Sequence, residues 1–271
     1  MFVQAAKLAV RLAPDSLGCA IATALATRTK RLPASDAERE AMAAARRLNF
    51  GEHGRHAAWS WGEGPAVMLA HGWGGSAAQM APLAVRISAL GFHAVAIDIT
   101  GHGASPLNKT QWSWLIRDVT AAASSFGPLH AAVGHSAGGL ALMAARGLKG
   151  LRAQRYACIC APSHPFPPVK AIQARLNPRP GVIARYQDYL AREFETDWAT
   201  LQSGCSFAGG GTELLLVYDL KDRFVPHTEG DRIHALCPAA RLVKTQDFGH
   251  TRILGTPELA RTVGEFLKEP G

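Results

Sequence analysis

From about residue 56 the sequence alternates short apolar runs with longer stretches of amphipathic helical spacing, a rhythm that few architectures accept. The apolar runs 66–70, 93–99, 129–134, 156–160, 213–218 and 241–244 have the length and β-branched content of buried strands. Between and after them lie helical patterns at 77–90, 111–125, 137–148, 230–236 and 257–267. Strand then helix, repeated, predicts an α/β fold: a doubly wound, mostly parallel sheet covered on both faces. A length of 271 residues with 48% hydrophobic and 18% charged residues supplies a core for such a sheet. No period of the length used by solenoids or propellers is present.

Two segments lie outside the rhythm. Residues 1–50 read as an N-terminal helical arm: Phe2, Ala6, Ala9 and Ala13 recur at helical spacing, and a second helical pattern runs over 35–48. Its apolar face is mostly alanine, which favours packing on the main domain, residues 51–271, over a membrane-surface role. The interval 162–211 opens with Pro162, Pro165, Pro167 and Pro168, carries a helical stretch around 183–194 and closes on Gly209, Gly210 and Gly211, so it reads as an insertion.

Charge and cysteine usage narrow the function classes. The formal net charge is +8, of which +4 falls in residues 1–50, with eight Lys/Arg against four Asp/Glu. Without aromatic interleaving or a nucleic-acid module this is a solvated basic face, and no nucleic-acid partner is expected. The apolar stretch 17–27 is shorter than the roughly 20 residues that a membrane span requires. Lys7, Arg11, Pro14 and Asp15 interrupt the one candidate for the apolar core of a signal peptide. Cys19, Cys158, Cys160, Cys205 and Cys237 are an odd number, which excludes a complete disulfide framework and favours a reducing, cytoplasmic setting. Cys158 and Cys160, two apart in a predicted strand, are expected to share one face as small core residues; no metal site is expected.

The chemistry gathers at predicted strand ends. Directly after the strand ending near Val133 stands Gly134-His135-Ser136-Ala137-Gly138-Gly139, a G-x-S-x-G pattern between a strand and a helix. A serine at so tight a turn has its Oγ clear of the sheet, and its neighbours two residues away on either side must be small. A serine hydroxyl needs a base to take its proton and an acid to orient that base. Candidates follow in the order Ser, Asp, His: Asp222 in the loop after strand 213–218, and His250 in the loop after strand 241–244. The glycine-rich turn His71-Gly72-Trp73-Gly74-Gly75 after strand 66–70 offers the Trp73 amide, and the elbow offers the Ala137 amide, as two donors for an oxyanion.

Together these residues resemble the α/β-hydrolase family, serine esterase and lipase-like, over about residues 57–268. The resemblance rests on the HG-x-GG turn at His71 to Gly75, Asp98-Ile-Thr-Gly-His-Gly103, the elbow, the D-x-x-V-P loop at Asp222 to Pro226 and Gly249-His250. In the family the second loop is usually Asp-x-Pro-Gly-His-Gly, and Thr100 here replaces the proline. The resemblance implies a cap at 162–211 and hydrolysis of a small-molecule carboxylic ester, or a thioester or amide, through an acyl-enzyme. It also implies that no cofactor is needed. Acyl transfer, hydrolytic carbon–carbon cleavage and non-catalytic ligand sensing use the same framework and stay open here, as do the acyl group, the alcohol and the oligomeric state.

Rival readings attach to particular residues. Gly72 to Ala77 formally satisfies G-x-G-x-x-A after a strand, with Asp98 ending the next, a dinucleotide fingerprint that leaves the elbow, Asp222 and His250 without a role. Asp219 competes with Asp222 for the acid, which the family pattern places four residues before Pro226. His135 and His102 read as packing or loop-stabilising residues, and His53 and His56 as solvated. In the insertion, Phe166, Tyr186, Tyr189, Phe194, Trp198 and Phe207 are either core or pocket lining. Tyr189, Phe194 and Trp198 are the expected specificity contacts for an apolar substrate group.

Overall fold

In the computed structural model, which describes residues 7, 8 and 10–269, one sheet contains β1 (Arg46–Phe50), β2 (His56–Trp61), β3 (Ala66–Ala70), β4 (His93–Ile97), β5 (Leu129–His135), β6 (Ala153–Ile159), β7 (Leu214–Asp219) and β8 (Arg241–Thr245). Their spatial order is β1-β2-β4-β3-β5-β6-β7-β8. From β4 to β8 every pairing is parallel, while β2 runs antiparallel to both β1 and β4. The chain winds from β3 to β4 on one side and then crosses to β5 on the other. The carboxyl ends of β3 and β5, paired at Ala70 and Gly134, therefore border the crevice where the winding reverses. That is where open α/β sheets bind ligands.

The pleat sorts side chains into two cores. Met68, Ala70, Val95, Ile97 and Tyr218 belong to one, under helices Trp112–Phe126 and Ala137–Lys149. Val67, Leu69, Ala94, Val133 and Val217 belong to the other, under Ala77–Ser88 and Pro257–Lys268. Because both faces are covered, the central strands read as continuous apolar runs, which is why they are legible in sequence.

The structure departs from expectation at the amino end. The helix expected over 35–48 stops at Ala43, and Arg46–Phe50 is an edge strand paired with His56–Trp61, itself absent from the expected strands. Arg46, Arg47 and Asn49 are exposed and only Leu48 and Phe50 turn to the core, so the apolar alternation is too short to mark the strand, and cations on such an edge discourage pairing with another chain. Helix Asp36–Ala43 is started by a capping box between Ser35 and Glu38. Of the first helical spacing, Phe2, Ala6 and Ala9 lie outside the described residues.

Helix Asp15–Ala26 packs on helix Pro180–Glu193 of the insertion. A side chain at Gly18 would stand 2.7 Å from Val182 Cγ2, and Asp15 pairs with Arg179 at 2.8 Å. Beyond this helix the chain is bonded to the loop that follows β4. Thr110 N–H donates to Thr27 O (2.8 Å), Thr29 N–H to Asn108 O (3.0 Å), and Arg31 Nη2 to Ser105 O (2.8 Å). The insertion holds helices Phe166–Leu176, Pro180–Glu193 and Trp198–Gln202; sequence spacing had marked only the second, because prolines at the head of the first masked it. Among the described residues no helix is long and apolar enough to cross a membrane.

Candidate active site

Ser136 occupies the one residue between β5 and helix Ala137–Lys149, with φ 52° and ψ −121°. That conformation costs a non-glycine residue on the order of 1–3 kcal/mol and persists where the surroundings over-determine it. The surroundings here are tight. A Cβ on Gly134 would lie 2.5 Å from Gly139 Cα, and one on Gly138 would lie 2.5 Å from the carbonyl oxygens of both Ala70 and His71. Ser136 N–H donates to Ile159 O at 2.8 Å, which ties the elbow to β6.

The structure brings Ser136, His250 and Asp222 into one hydrogen-bonded line. Ser136 Oγ lies 3.0 Å from His250 Nε2, and His250 Nδ1 lies 2.6 Å from Asp222 Oδ2. Asp222 is buried, and its Oδ1 accepts from Phe224 N–H (2.7 Å) and Val225 N–H (2.9 Å). Burial alone would raise its pKa, but the bond to His250, the charge there and the two amides together hold it below the ordinary carboxylate value.

Asp219, the sequence rival, has a different environment. Its Oδ1 accepts from Lys221 N–H (2.9 Å) and Gly249 N–H (2.8 Å), and its Oδ2 from Thr245 Oγ1–H (2.9 Å) and Phe248 N–H (3.2 Å). Burial again works to raise its pKa and is outweighed by these donors, so the charge is retained. Asp219 thus clamps the loop carrying His250 to the loop carrying Asp222.

Three neutral histidines hold loops rather than meet Ser136 directly. His135 Nε2 bonds His250 O at 2.8 Å; burial, then the proximity of His250, lowers its pKa to about 3. His71 donates from Nδ1 to Gly72 O (2.7 Å) and accepts Ile99 N–H at Nε2 (3.2 Å), with its pKa lowered by burial to about 4. His102 accepts Gly74 N–H at Nε2 (3.0 Å) and donates from Nδ1 to Thr100 O (3.1 Å), with its pKa lowered to about 3, chiefly by burial. Further out, His56 Nε2 bonds Thr100 Oγ1 at 2.8 Å, while His53 is exposed. His56 is therefore half-buried and bonded, not solvated as its spacing with His53 suggested.

Asp98 accepts from Ala77 N–H (2.7 Å), Ala104 N–H (2.9 Å) and Trp59 Nε1–H (3.2 Å), which leaves no geometry for a ribose and removes the ground for the dinucleotide reading. Thr100 explains the missing proline. Its N–H donates to buried Asp118 at 2.8 Å, a bond that proline lacks, so hydrogen bonding rather than a ring fixes that loop.

Cys158 and Cys160 do not share a face. Cys158 belongs to one core and Cys160 to the other, because Cys160 follows the strand with φ 49°, which breaks the alternation. Ligand atoms of Cys160, Asp222 and His250 lie within 4.8 Å of one another, the one such group among the described residues. Burial, with Asp222 beside it, pushes the Cys160 thiol well above its ordinary pKa. A thiol that stays protonated is a poor metal ligand.

Ser136 and Ala137 open onto a cavity of about 470 Å³. Ala137 is the first residue of its helix, so its N–H has no partner within the helix. Trp73 lines the same cavity. The walls come from Pro167, Pro168, Ala171, Ile172, Arg175 and Leu176, positions three to four apart on one helix face, and from Leu25, Ala26 and Arg28 of the arm. Trp112, Pro162 and Phe224 complete the lining. Tyr189, Phe194 and Trp198 are not among these residues. Phe194 is buried against Trp112 (ring centroids 5.3 Å), Tyr189 stacks on Tyr186 (5.9 Å) and Trp198 sets its edge on His164 (5.6 Å). Their helical spacing is that of the core cluster that the insertion shares with one face of the sheet.

A model of the alpha/beta hydrolase family matches residues 67–261, and the chain belongs to that family. Among solved structures it is similar to an esterase of Pyrococcus furiosus (TM-score 0.62, 18% identity, covering 89% of this chain and 98% of that one). It is also similar to an epoxide hydrolase of Vigna radiata (0.62, 15%, 84% and 99%) and to a bromoperoxidase of Bacillus anthracis (0.63, 14%, 83% and 100%). At such identities the likeness is one of fold. No curated protein matches the chain.

Proposed function

We propose that the protein is a serine-dependent carboxylic ester hydrolase that works through an acyl-enzyme. What carries this reading is the line Ser136 Oγ, His250 Nε2, His250 Nδ1, Asp222 Oδ2, at 3.0 and 2.6 Å, on the floor of an apolar cavity. In this reading His250 takes the proton of Ser136 as Oγ attacks the ester carbonyl, forming the C–O bond of a tetrahedral intermediate. The Trp73 and Ala137 amides hold its oxyanion. The alcohol leaves with the proton from His250, and water, activated by the same ring, releases the acid. Asp222 keeps the Nδ1 proton in place and balances the imidazolium charge. Two fixed donors at the oxyanion are worth about 3 kcal/mol of barrier each.

Residues 162–211 act as the cap over this site; of residues 1–50, expected as a helical arm, the stretch ahead of β1 lies beside it, while Arg46–Phe50 belongs to the sheet. The substrate presents an apolar group, because the walls around Ser136 are mainly hydrocarbon. The five free thiols are in keeping with a cytoplasmic setting. A serine-reactive phosphonate and p-nitrophenyl esters of graded chain length test the reading. Ser136→Ala is expected to lose labelling and to lower kcat by about 10⁴ or more. Labelling at another serine, or ester turnover that survives the substitution, would end it.

A further inference from the structure

Resting on the ester-hydrolase reading, we infer that the substrate is an anionic amphiphile: an ester whose apolar chain fills the cavity and carries a carboxylate or phosphate that meets Arg28 and Arg175. Those two are the charged residues lining the cavity; no carboxylate lines it among the described residues. They come from segments far apart in sequence, the arm and the first helix of the insertion. Neither has an ion-pair partner among the described residues, whereas Arg179 nearby in sequence pairs with Asp15, and Arg146 with Glu213.

The physical argument is one of complementarity. Two guanidinium groups without ion-pair partners beside hydrocarbon walls repel a cationic substrate and give the neutral oxygens of an uncharged one only the weaker class of hydrogen bond. An anion gains charge-assisted, potentially bidentate hydrogen bonds at the cavity rim, where both arginines are exposed and salt screens them. Arg28 is held for this purpose by its backbone. It forms a bridge with Lys109, and its neighbours Thr27 and Thr29 bond residues 110 and 108. Leu25, Ala26 and Arg28 lie outside residues 67–261, the stretch matched by the family model.

The test compares monomethyl decanedioate, an anionic half-ester, with dimethyl decanedioate, its neutral counterpart of equal length. The readout is the ratio of kcat/KM per ester group. The half-ester is expected to be favoured, by about fivefold for each arginine and less as salt is raised. Arg28→Gln and Arg175→Gln are each expected to lower the ratio about fivefold, and Arg175→Lys to lower it less. A ratio near one in the parent, or a ratio that neither glutamine variant changes, overturns the inference. p-Nitrophenyl octanoate, run in parallel, separates the two claims: if it is turned over through Ser136 while the ratio is flat, only the anion inference falls. If no ester is turned over, the hydrolase reading falls, and calorimetric binding of the two methyl esters to the Ser136→Ala protein decides. Preferential binding of the half-ester that the arginine variants lose upholds the anion site, and equal binding overturns it.

Discussion

Two aspartates three residues apart, Asp219 and Asp222, are expected to fail in opposite ways when each is made asparagine. At Asp219 the amide can keep its oxygen toward the Lys221 and Gly249 N–H groups and turn its nitrogen toward Thr245 and Phe248. The Thr245 hydroxyl can rotate to accept, but the Phe248 N–H then faces a donor. One unpaired buried donor, together with weaker bonds at the neutral oxygen, costs about 2–4 kcal/mol of stability. At Asp222 the amide oxygen can keep the Phe224 and Val225 N–H groups while its nitrogen faces His250 Nδ1. The ring must then carry its proton on Nε2, toward Ser136, where it cannot act as a base. The expected loss is about 10⁴ in kcat, the size of the serine-protease precedent, with a stability loss under about 2 kcal/mol. Guanidinium unfolding midpoints at constant slope and p-nitrophenyl butyrate kinetics measure both. Equal rate losses, or an Asp219→Asn protein as stable as the parent, would refute the division of labour.

Three further outcomes are expected. Burial lowers the pKa of His71, His102 and His135 to about 4, 3 and 3, while unfolded-chain histidines titrate near 6.5, so below that pH the unfolded state binds more protons. Stability should therefore fall as the pH drops from about 6.5 toward 4, by up to about 1.4 kcal/mol per pH unit for each ring; an unfolding midpoint that is constant across this window would contradict it. Gly138→Ala, whose methyl would meet two carbonyl oxygens at 2.5 Å, should destabilise by about 1–3 kcal/mol and depress esterase turnover. Gly147→Ala in the same helix, where nothing lies within 4 Å, should be neutral or stabilising by up to about 1 kcal/mol; matched denaturation curves compare the two. Ile172→Ala should shift butyryl against octanoyl selectivity by about 1–3 kcal/mol, read as a ratio of kcat/KM values. Phe194→Ala should instead cost about 3–5 kcal/mol of stability and leave the chain-length profile alone, and a changed profile would return Phe194 to the pocket.

The sequence by itself determined the sheet and the line of groups at its carboxyl edge, because both rest on local chemistry. Strands buried on two faces must be apolar throughout, and an elbow in which a Cβ at Gly134 or Gly138 would come within 2.5 Å of other backbone atoms favours glycine there. Hence Ser136, His250 and an aspartate between them are legible from motif and order, and Asp222 is separated from Asp219 by the family resemblance, which places the acid four residues before Pro226. The tertiary structure decided what no local pattern encodes. Arg46–Phe50 became a strand because a neighbour offered its edge, although only Leu48 and Phe50 of its residues are apolar and turned to the core. Cys160 left the face of Cys158 because one backbone angle changed sign at the strand end. The cavity wall passed from Tyr189, Phe194 and Trp198 to Leu25, Arg28, Ile172 and Arg175, since helical spacing states that a face is apolar without saying what it faces. Which helix covers which is settled by long-range contacts, here the bonds from Thr27, Thr29 and Arg31 to the loop after β4, and these depend on residues 74 to 83 positions apart.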